Sequence, residues 1–152
     1  MPTIVAASDA DWVRDHVRAA LCGPGFEVID VERGHDVRNV VAEKHPDLVI
    51  VDLQIGNMGG MAVSLDLRLE ESGGRLPHVP ILLLLDREAD KFLARRSTAD
   101  AMLVKPIDAG TVRRTVKNLL AAEDARRAAA ADPDLTPGGP EQTAGGPQER
   151  VG

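Results

Sequence analysis

The stretch DLVIVDLQIGNMGGMAV, from Asp47 to Val63, decides the fold of this chain. Its core, Leu48 to Val51, is a continuous apolar run, which is typical of a strand covered on both faces. The run ends in Asp52, and a turn containing three glycines leads from there into a segment with helical spacing. The stretch is therefore predicted to be a strand and a helix with a carboxylate at the carboxyl end of the strand, where α/β proteins bind ligands.

The rest of the chain repeats this alternation of strand and helix. Four further runs are predicted to be strands: Thr3 to Ala7, Phe26 to Val31, Ile81 to Leu85 and Ala101 to Val104. Apolar residues at helical spacing predict the faces of five helices: Val13, Val17, Ala20 and Leu21; Val37, Val40 and Val41; Met61, Leu65 and Leu69; Ala89, Phe92 and Leu93; and Val112, Val116, Leu119 and Leu120. Short connections in the order βαβαβαβαβα predict an α/β fold with a doubly wound parallel sheet.

Composition divides the chain into a body and a tail. A chain of 152 residues that is 43% hydrophobic suits one domain, which we place at residues 1–122. An Ala-rich run predicts a helical extension over residues 123–131. Residues 132–152 contain four Pro, five Gly and almost no large apolar side chain. Such a segment cannot bury enough surface to offset its backbone entropy, so a disordered tail is predicted there.

Charge and cysteine content argue against several classes of protein. A formal net charge of -6 disfavours direct DNA binding, which normally requires a basic face. One cysteine cannot form an internal disulfide, and no apolar run approaches the roughly 20 residues of a membrane-spanning helix. The N-terminus lacks the features of a signal peptide. We therefore expect a soluble cytoplasmic protein that does not bind membranes.

Polar side chains follow three of the five predicted strands. Asp9 follows the first, Asp52 ends the third and Lys105 ends the fifth, whereas Leu85 ends the fourth without a polar group. The carboxyl ends of parallel strands meet at one edge of a sheet, so two carboxylates converge there with a lysine. Carboxylate oxygens suit Mg²⁺, and a lysine beside them binds an anion.

At these positions the sequence resembles the receiver domain of two-component response regulators. The strongest matches are Asp47 to Val63 and ADAMLVKPIDAGTV, from Ala99 to Val112, within a resemblance that runs from Thr3 to Leu120. The resemblance implies a flavodoxin-like (βα)5 fold with a five-stranded sheet of order 2-1-3-4-5. It also implies that a histidine kinase or a phosphotransfer protein transfers a phosphoryl group to Asp52.

The same resemblance assigns further roles at the site. Asp9 and Asp52 match Mg²⁺ ligands, and the backbone carbonyl of Gln54 matches the third protein ligand. Lys105 matches the lysine that contacts the phosphoryl group. Gly60 matches the glycine that follows the acceptor loop.

Several positions depart from the family pattern. Ser8 stands where the family usually has an acid, and Leu85 stands where a Thr or Ser usually contacts the phosphoryl group. Met102 replaces the aromatic residue that moves with that hydroxyl, and Gly56 replaces a proline. An alternative register would place Asp86 where Leu85 stands, but we disfavour it because a carboxylate would repel a phosphoryl group.

Three functions are compatible with these residues. The first is a single-domain receiver that signals through the surface of its fourth helix, fifth strand and fifth helix, to a downstream protein or to a second copy in a homodimer. The 32 residues from Ala121 to Gly152 are too few for a DNA-binding output domain. The second is a phosphorylation-independent pseudo-receiver that acts as an interaction module. The third, ranked last, is a phosphatase of the haloacid dehalogenase type, which requires an aspartate where Gln54 stands. We therefore predict a protein that is not an enzyme.

Overall fold

The computed structural model describes residues 1–23 and 25–131, which form five strands and the helices that connect them. The strands are β1 (Thr3–Ala7), β2 (Glu27–Val31), β3 (Leu48–Asp52), β4 (Ile81–Leu85) and β5 (Ala101–Val104). The α-helices are α1 (Asp11–Ala20), α2 (Val37–Lys44), α3 (Gly60–Ser72), α4 (Asp90–Ala94) and α5 (Ala109–Ala131), and a 3-10 turn, Gly34–Asp36, precedes α2.

The five strands form one parallel sheet in the order β2-β1-β3-β4-β5. The predicted flavodoxin-like α/β fold is therefore confirmed. The strand positions also agree with the sequence to within one residue, since β2 begins at Glu27 and β3 extends to Asp52. The central strands β3 and β4 are buried at every position, as their continuous apolar runs predict.

Alternation along the strands divides the core into two clusters, one on each face of the sheet. One cluster packs the sheet against α1 and α5 and includes Ile50, Leu84 and Val116. The other packs the opposite face against α2 and α3 and includes Val51 and Leu85. Helices α1 and α5 thus pack on one face of the sheet and α2 and α3 on the other, which is the arrangement that a doubly wound fold requires.

The apolar faces predicted for α3 and α4 are wrong in part, although Met61 on α3 packs against the core as predicted. Leu65 and Leu69 are 46% and 66% exposed, and the residues of α3 that face the sheet are Gly60, Val63 and Leu67. In α4, Phe92 and Leu93 are 64% and 52% exposed, while Asp90 and Ala94 are buried. Two apolar stripes with helical spacing lie on α3, and periodicity does not distinguish between them.

The fifth helix continues beyond the compact unit, which ends at Leu120. In its C-terminal part, Glu123 accepts hydrogen bonds from Arg126 and Arg127, one turn further along the same helix. The predicted tail, residues 132–152, lies outside the described residues. No helix in the described part of the chain is long and apolar enough to cross a membrane.

Candidate functional site

Four polar side chains meet at the carboxyl edge of the sheet because their strands share the same alternation. Each lies two residues beyond a side chain of the core cluster formed with α1 and α5: Ser8 after Ala6, Asp52 after Ile50, Asp86 after Leu84, and Lys105 after Leu103. Side chains two residues apart in a strand point to the same face. The apolar layer under α1 and α5 therefore ends in a polar rim.

Asp52 lies at the centre of this rim and is 2% exposed. Its Oδ1 accepts hydrogen bonds from Lys105 Nζ at 2.6 Å and from the backbone N–H of Gln54 at 3.1 Å. Its Oδ2 accepts one from the hydroxyl of Ser8 at 2.7 Å. Burial of a carboxylate is costly unless it is paired and hydrogen-bonded, and these three donors offset that cost.

Lys105 links two carboxylates. Its Nζ donates to Asp52 Oδ1 and also to Asp86 Oδ1, at 2.8 Å, and its side chain is 10% exposed. Burial by itself lowers the pKa of Lys105, but the hydrogen bonds and charges of Asp52 and Asp86 outweigh it and raise that pKa above its ordinary value. Lys105 is therefore an ammonium ion at neutral pH. The Lys105–Pro106 peptide bond that follows is cis.

Ser8 adds a hydroxyl where a second carboxylate would complete an acidic cluster. The residue is 1% exposed, and its Oγ accepts a hydrogen bond from the backbone N–H of Ala10 while it donates to Asp52. Its carbonyl oxygen accepts a hydrogen bond from the buried guanidinium of Arg14 on α1. These contacts hold the Ser8 hydroxyl against the Asp52 carboxylate.

A divalent cation would find hard oxygen ligands here. Asp9 is exposed after β1, and its Oδ2 would lie 2.9 Å from a Cβ on Gly56 in the turn after β3. It has neither a hydrogen-bonding nor an ion-pairing partner among the described residues. Together with one oxygen of Asp52 and the carbonyl of Gln54, it offers the small oxygen set that Mg²⁺ accepts while it keeps several waters. These residues fit the metal, although Ser8 leaves two acids and no cluster of three metal-ligating side chains in the described part of the chain.

The turn after β3 brings α3 close to the strand that ends in Asp52. A Cβ on Gly60 would lie 2.7 Å from the carbonyl oxygen of Asp52 and 2.8 Å from the Cα of Leu53. Gly59, just before the helix, has a φ of +79°, a conformation that glycine adopts without strain. These two glycines allow the start of α3 to pack directly on the end of β3.

Leu85 and Met102 lie away from this rim. Leu85 is fully buried in the core cluster on the α2 and α3 face, and Met102 packs against that same cluster. Neither side chain carries a hydrogen-bond donor that could reach an anion at Asp52.

Sequence reasoning undervalued Asp86 and missed two other residues. Asp86 follows Leu85 in the expected register, and its carboxylate accepts a hydrogen bond from Lys105. The prediction that the end of the fourth strand lacks a polar group is therefore wrong. The alternation Leu82, Leu84, Asp86 is the signal that places it on the side of Asp52. The missed residues are Trp12 and Arg14, both on α1. Trp12 is half exposed, and its ring centroid lies 5.7 Å from Lys105 Nζ. The guanidinium of Arg14 donates a hydrogen bond to the carbonyl oxygen of Ser8. No pattern in the sequence links those two residues to the site.

Two curated relatives match most of the chain. Protein PilH of Pseudomonas aeruginosa is 27% identical over 121 residues, which cover 80% of this chain and 99% of PilH. The polar-differentiation response regulator DivK of Brucella ovis is 28% identical over 109 residues, which cover 70% of this chain and 83% of DivK.

A solved structure and a family model agree with these relatives. The receiver domain of the sensor histidine kinase PA1611 from Pseudomonas aeruginosa, solved with a magnesium ion in its active-site cleft, superposes with a TM-score of 0.69. It is 20% identical, and the match covers 79% of this chain and 98% of that domain, so this likeness concerns the fold. Residues 4–117 match the family model of the response regulator receiver domain. The chain therefore belongs to the response regulator receiver family of two-component signalling.

Proposed function

We propose that this receiver accepts a phosphoryl group on Asp52 from a histidine kinase or a phosphotransfer protein and signals through protein–protein contact. The observation that carries the proposal is the buried Asp52 carboxylate with the Lys105 ammonium 2.6 Å away at the carboxyl edge of the sheet. A carboxylate in this position is a nucleophile, and the ammonium beside it stabilises the charge that a phosphoryl group brings.

The proposed transfer needs position and electrostatics more than acid–base chemistry. An oxygen of Asp52 attacks the phosphorus of a phosphohistidine, a P–O bond forms, and the P–N bond breaks with its electron pair returning to the imidazole. Oδ1 accepts two hydrogen bonds and Oδ2 accepts one, so Oδ2 is the less committed of the two carboxylate oxygens. In the proposed transfer, Lys105 would bind an oxygen of the transferred group.

Mg²⁺ belongs to the same proposal. When bound, it would offset the negative charge that gathers between the carboxylate and the phosphoryl oxygens. Asp9, Asp52 and the carbonyl of Gln54 would hold it. The exposed, unpartnered carboxylate of Asp9 supports this assignment.

Intact-mass measurement tests the proposal directly. Incubation with a small phosphodonor such as acetyl phosphate in Mg²⁺ should add the mass of one phosphoryl group. Asp52→Asn should abolish the addition, and chelation of Mg²⁺ should suppress it. Asp108→Asn is a matched control, because Asp108 binds the backbone at the start of α5 and lies outside the site. Equal labelling of the Asp52→Asn variant would refute the assignment.

A phosphorylation-independent pseudo-receiver is the second candidate. Two observations favour it: Ser8 holds Asp52 Oδ2 in a hydrogen bond of 2.7 Å, and Leu85 is buried with no hydroxyl to offer a phosphoryl group. Absence of labelling by acetyl phosphate and by phosphorylated kinases would support this candidate instead.

The proposed output surface is formed by α4, β5 and α5. The exposed side chains of Phe92 and Leu93 on α4 give it apolar area for a downstream protein or for a second copy in a homodimer. The 121 matched residues make up 99% of PilH, which supports a receiver that works without an attached output domain. The proposed protein is cytoplasmic and does not bind DNA directly.

A further inference from the structure

Asp86 is held in place beside the phosphoacceptor site. Its carboxylate accepts a hydrogen bond from Lys105 Nζ at 2.8 Å, and its side chain is 37% exposed. Its backbone N–H donates to the buried carboxylate of Asp90, which also accepts the backbone N–H of Arg87. Asp90 thus holds the backbone at the end of β4, and the contact with Lys105 holds the Asp86 side chain toward the site.

We propose that Asp86 is a positioning residue that competes with the phosphoryl group for the Lys105 ammonium and so weakens the binding of an anion at Asp52. The inference rests on the proposed function, because it concerns the strength of that same site. In this inference, the charge of Asp86 sets how tightly the site binds a phosphoryl group on Asp52.

Competition outweighs any help that Asp86 gives in placing the lysine. Lys105 is already held by Asp52 at 2.6 Å and is largely buried, so a neutral residue at position 86 leaves the ammonium where it is. An anion on Asp52 needs that ammonium and adds negative charge near the Asp86 carboxylate. Repulsion between like charges a few ångströms apart at a partly exposed site changes affinity by about fivefold, equivalent to about 1 kcal/mol.

The test compares Asp86→Asn with the wild-type chain in titrations with beryllofluoride, an analogue of the phosphoryl group, in the presence of Mg²⁺. Asparagine keeps an acceptor for Lys105 and removes the charge. Calorimetry gives the dissociation constant, and the fluorescence of Trp12 gives a second readout because its ring lies 5.7 Å from Lys105 Nζ. Trp12 is the one tryptophan in the chain.

Two control variants separate a local effect from a general one. Glu88→Gln removes the same charge two residues away, where the side chain is 76% exposed and pairs with Lys91. Asp86→Glu keeps the charge at position 86. Circular dichroism checks that each variant is folded, and Asp86→Ser replaces Asp86→Asn if the latter does not fold.

We expect Asp86→Asn to bind beryllofluoride about fivefold more tightly than the wild type, with Asp86→Glu and Glu88→Gln within about twofold of it. Binding by Asp86→Asn alone would support the inference still more strongly. Equal or weaker binding by Asp86→Asn overturns it and leaves the proposed function intact. A gain in Glu88→Gln or Asp86→Glu equal to that in Asp86→Asn also overturns it. If neither wild type nor variant binds the analogue, the proposed function fails and the inference fails with it.

Discussion

At the scale of single residues, the site is a buried carboxylate satisfied by three donors. The Asp52 carboxylate accepts hydrogen bonds from the ammonium of Lys105, from the hydroxyl of Ser8 and from one backbone N–H. Removal of one partner of such a buried pair costs more than the pair contributes, because the remaining charge is left without compensation. The identity of residue 8 therefore sets the negative charge beside the proposed metal ligands.

We predict that Ser8→Asp tightens Mg²⁺ binding by about tenfold, because it adds a negative charge within a few ångströms of the proposed ligands. Isothermal titration calorimetry at fixed ionic strength measures the change. Ser8→Asn is the matched control, since it has nearly the same shape as Asp and no charge. Unchanged or weaker Mg²⁺ binding by Ser8→Asp would mean that residue 8 does not face the metal.

At the scale of elements, the turn between β3 and α3 determines how the helix packs on the strand end that carries Asp52. The absence of a Cβ at Gly60 lets the helix start within van der Waals contact of the Asp52 carbonyl. This contact also orients α3, since it turns the Gly60, Val63 and Leu67 face toward the sheet. The packing at one glycine thus selects between the two apolar stripes of the helix.

We predict that Gly60→Ala lowers the free energy of unfolding by about 1–3 kcal/mol, because the new Cβ would meet backbone atoms that cannot move aside. Urea denaturation measures the change. Gly110→Ala, in the first turn of α5, serves as the control, since the one atom near its Cβ would be a carboxylate oxygen of the exposed Asp108, at 3.3 Å, and no backbone atom. That control should be neutral or slightly stabilising. Equal stability of both variants would contradict the role given to Gly60.

At the scale of the whole molecule, the site and the family's switch positions lie on opposite faces of the sheet. Asp52, Asp86 and Lys105 continue the face under α1 and α5, whereas Leu85 and Met102 pack on the other face. A ligand shifts a conformational equilibrium only by its differential affinity for the two states. With no hydroxyl at Leu85, an anion at Asp52 lacks a contact with the side chain at that position through which to favour one arrangement of α4.

We therefore predict that beryllofluoride changes the NMR amide shifts near Asp9, Asp52 and Lys105 but barely changes those of α4 and Met102. The flexible Met102 side chain fits either arrangement of its surroundings and selects neither. Spectra recorded with and without the analogue provide the measurement. Large, concerted shifts from Ala89 to Leu93 would show that the site reaches α4 by another route.

The sequence also predicts that the C-terminal residues add little to stability. A chain that ends at Ala131 should melt within about a degree of the full chain, because residues 132–152 supply almost no large apolar side chain to a core. Differential scanning calorimetry of both chains provides the comparison. A loss of several degrees would mean that this segment contacts the rest of the protein.

The sequence by itself determined the elements and the chemical character of the site. Short apolar runs predicted the five strands to within one residue. Four of the runs are continuous, as strands buried on both faces require, whereas β2 includes Glu27 and Asp30. The positions of Asp52 and Lys105 at strand ends followed from the same runs, since parallel strands end at one edge. The family pattern at these positions supplied the strand order.

Only the tertiary structure decided which side chains share that edge and how. The contact of Lys105 with Asp86 spans 19 residues and that of Ser8 with Asp52 spans 44, so no local pattern contains either one. The spacing of apolar residues likewise does not predict which face of α3 or α4 is buried. On α3 a close backbone approach at Gly60 selects the buried stripe, and on α4 the Asp90 carboxylate turns inward to bind the end of β4. Local spacing specifies what a segment can form, whereas packing between segments selects the partners.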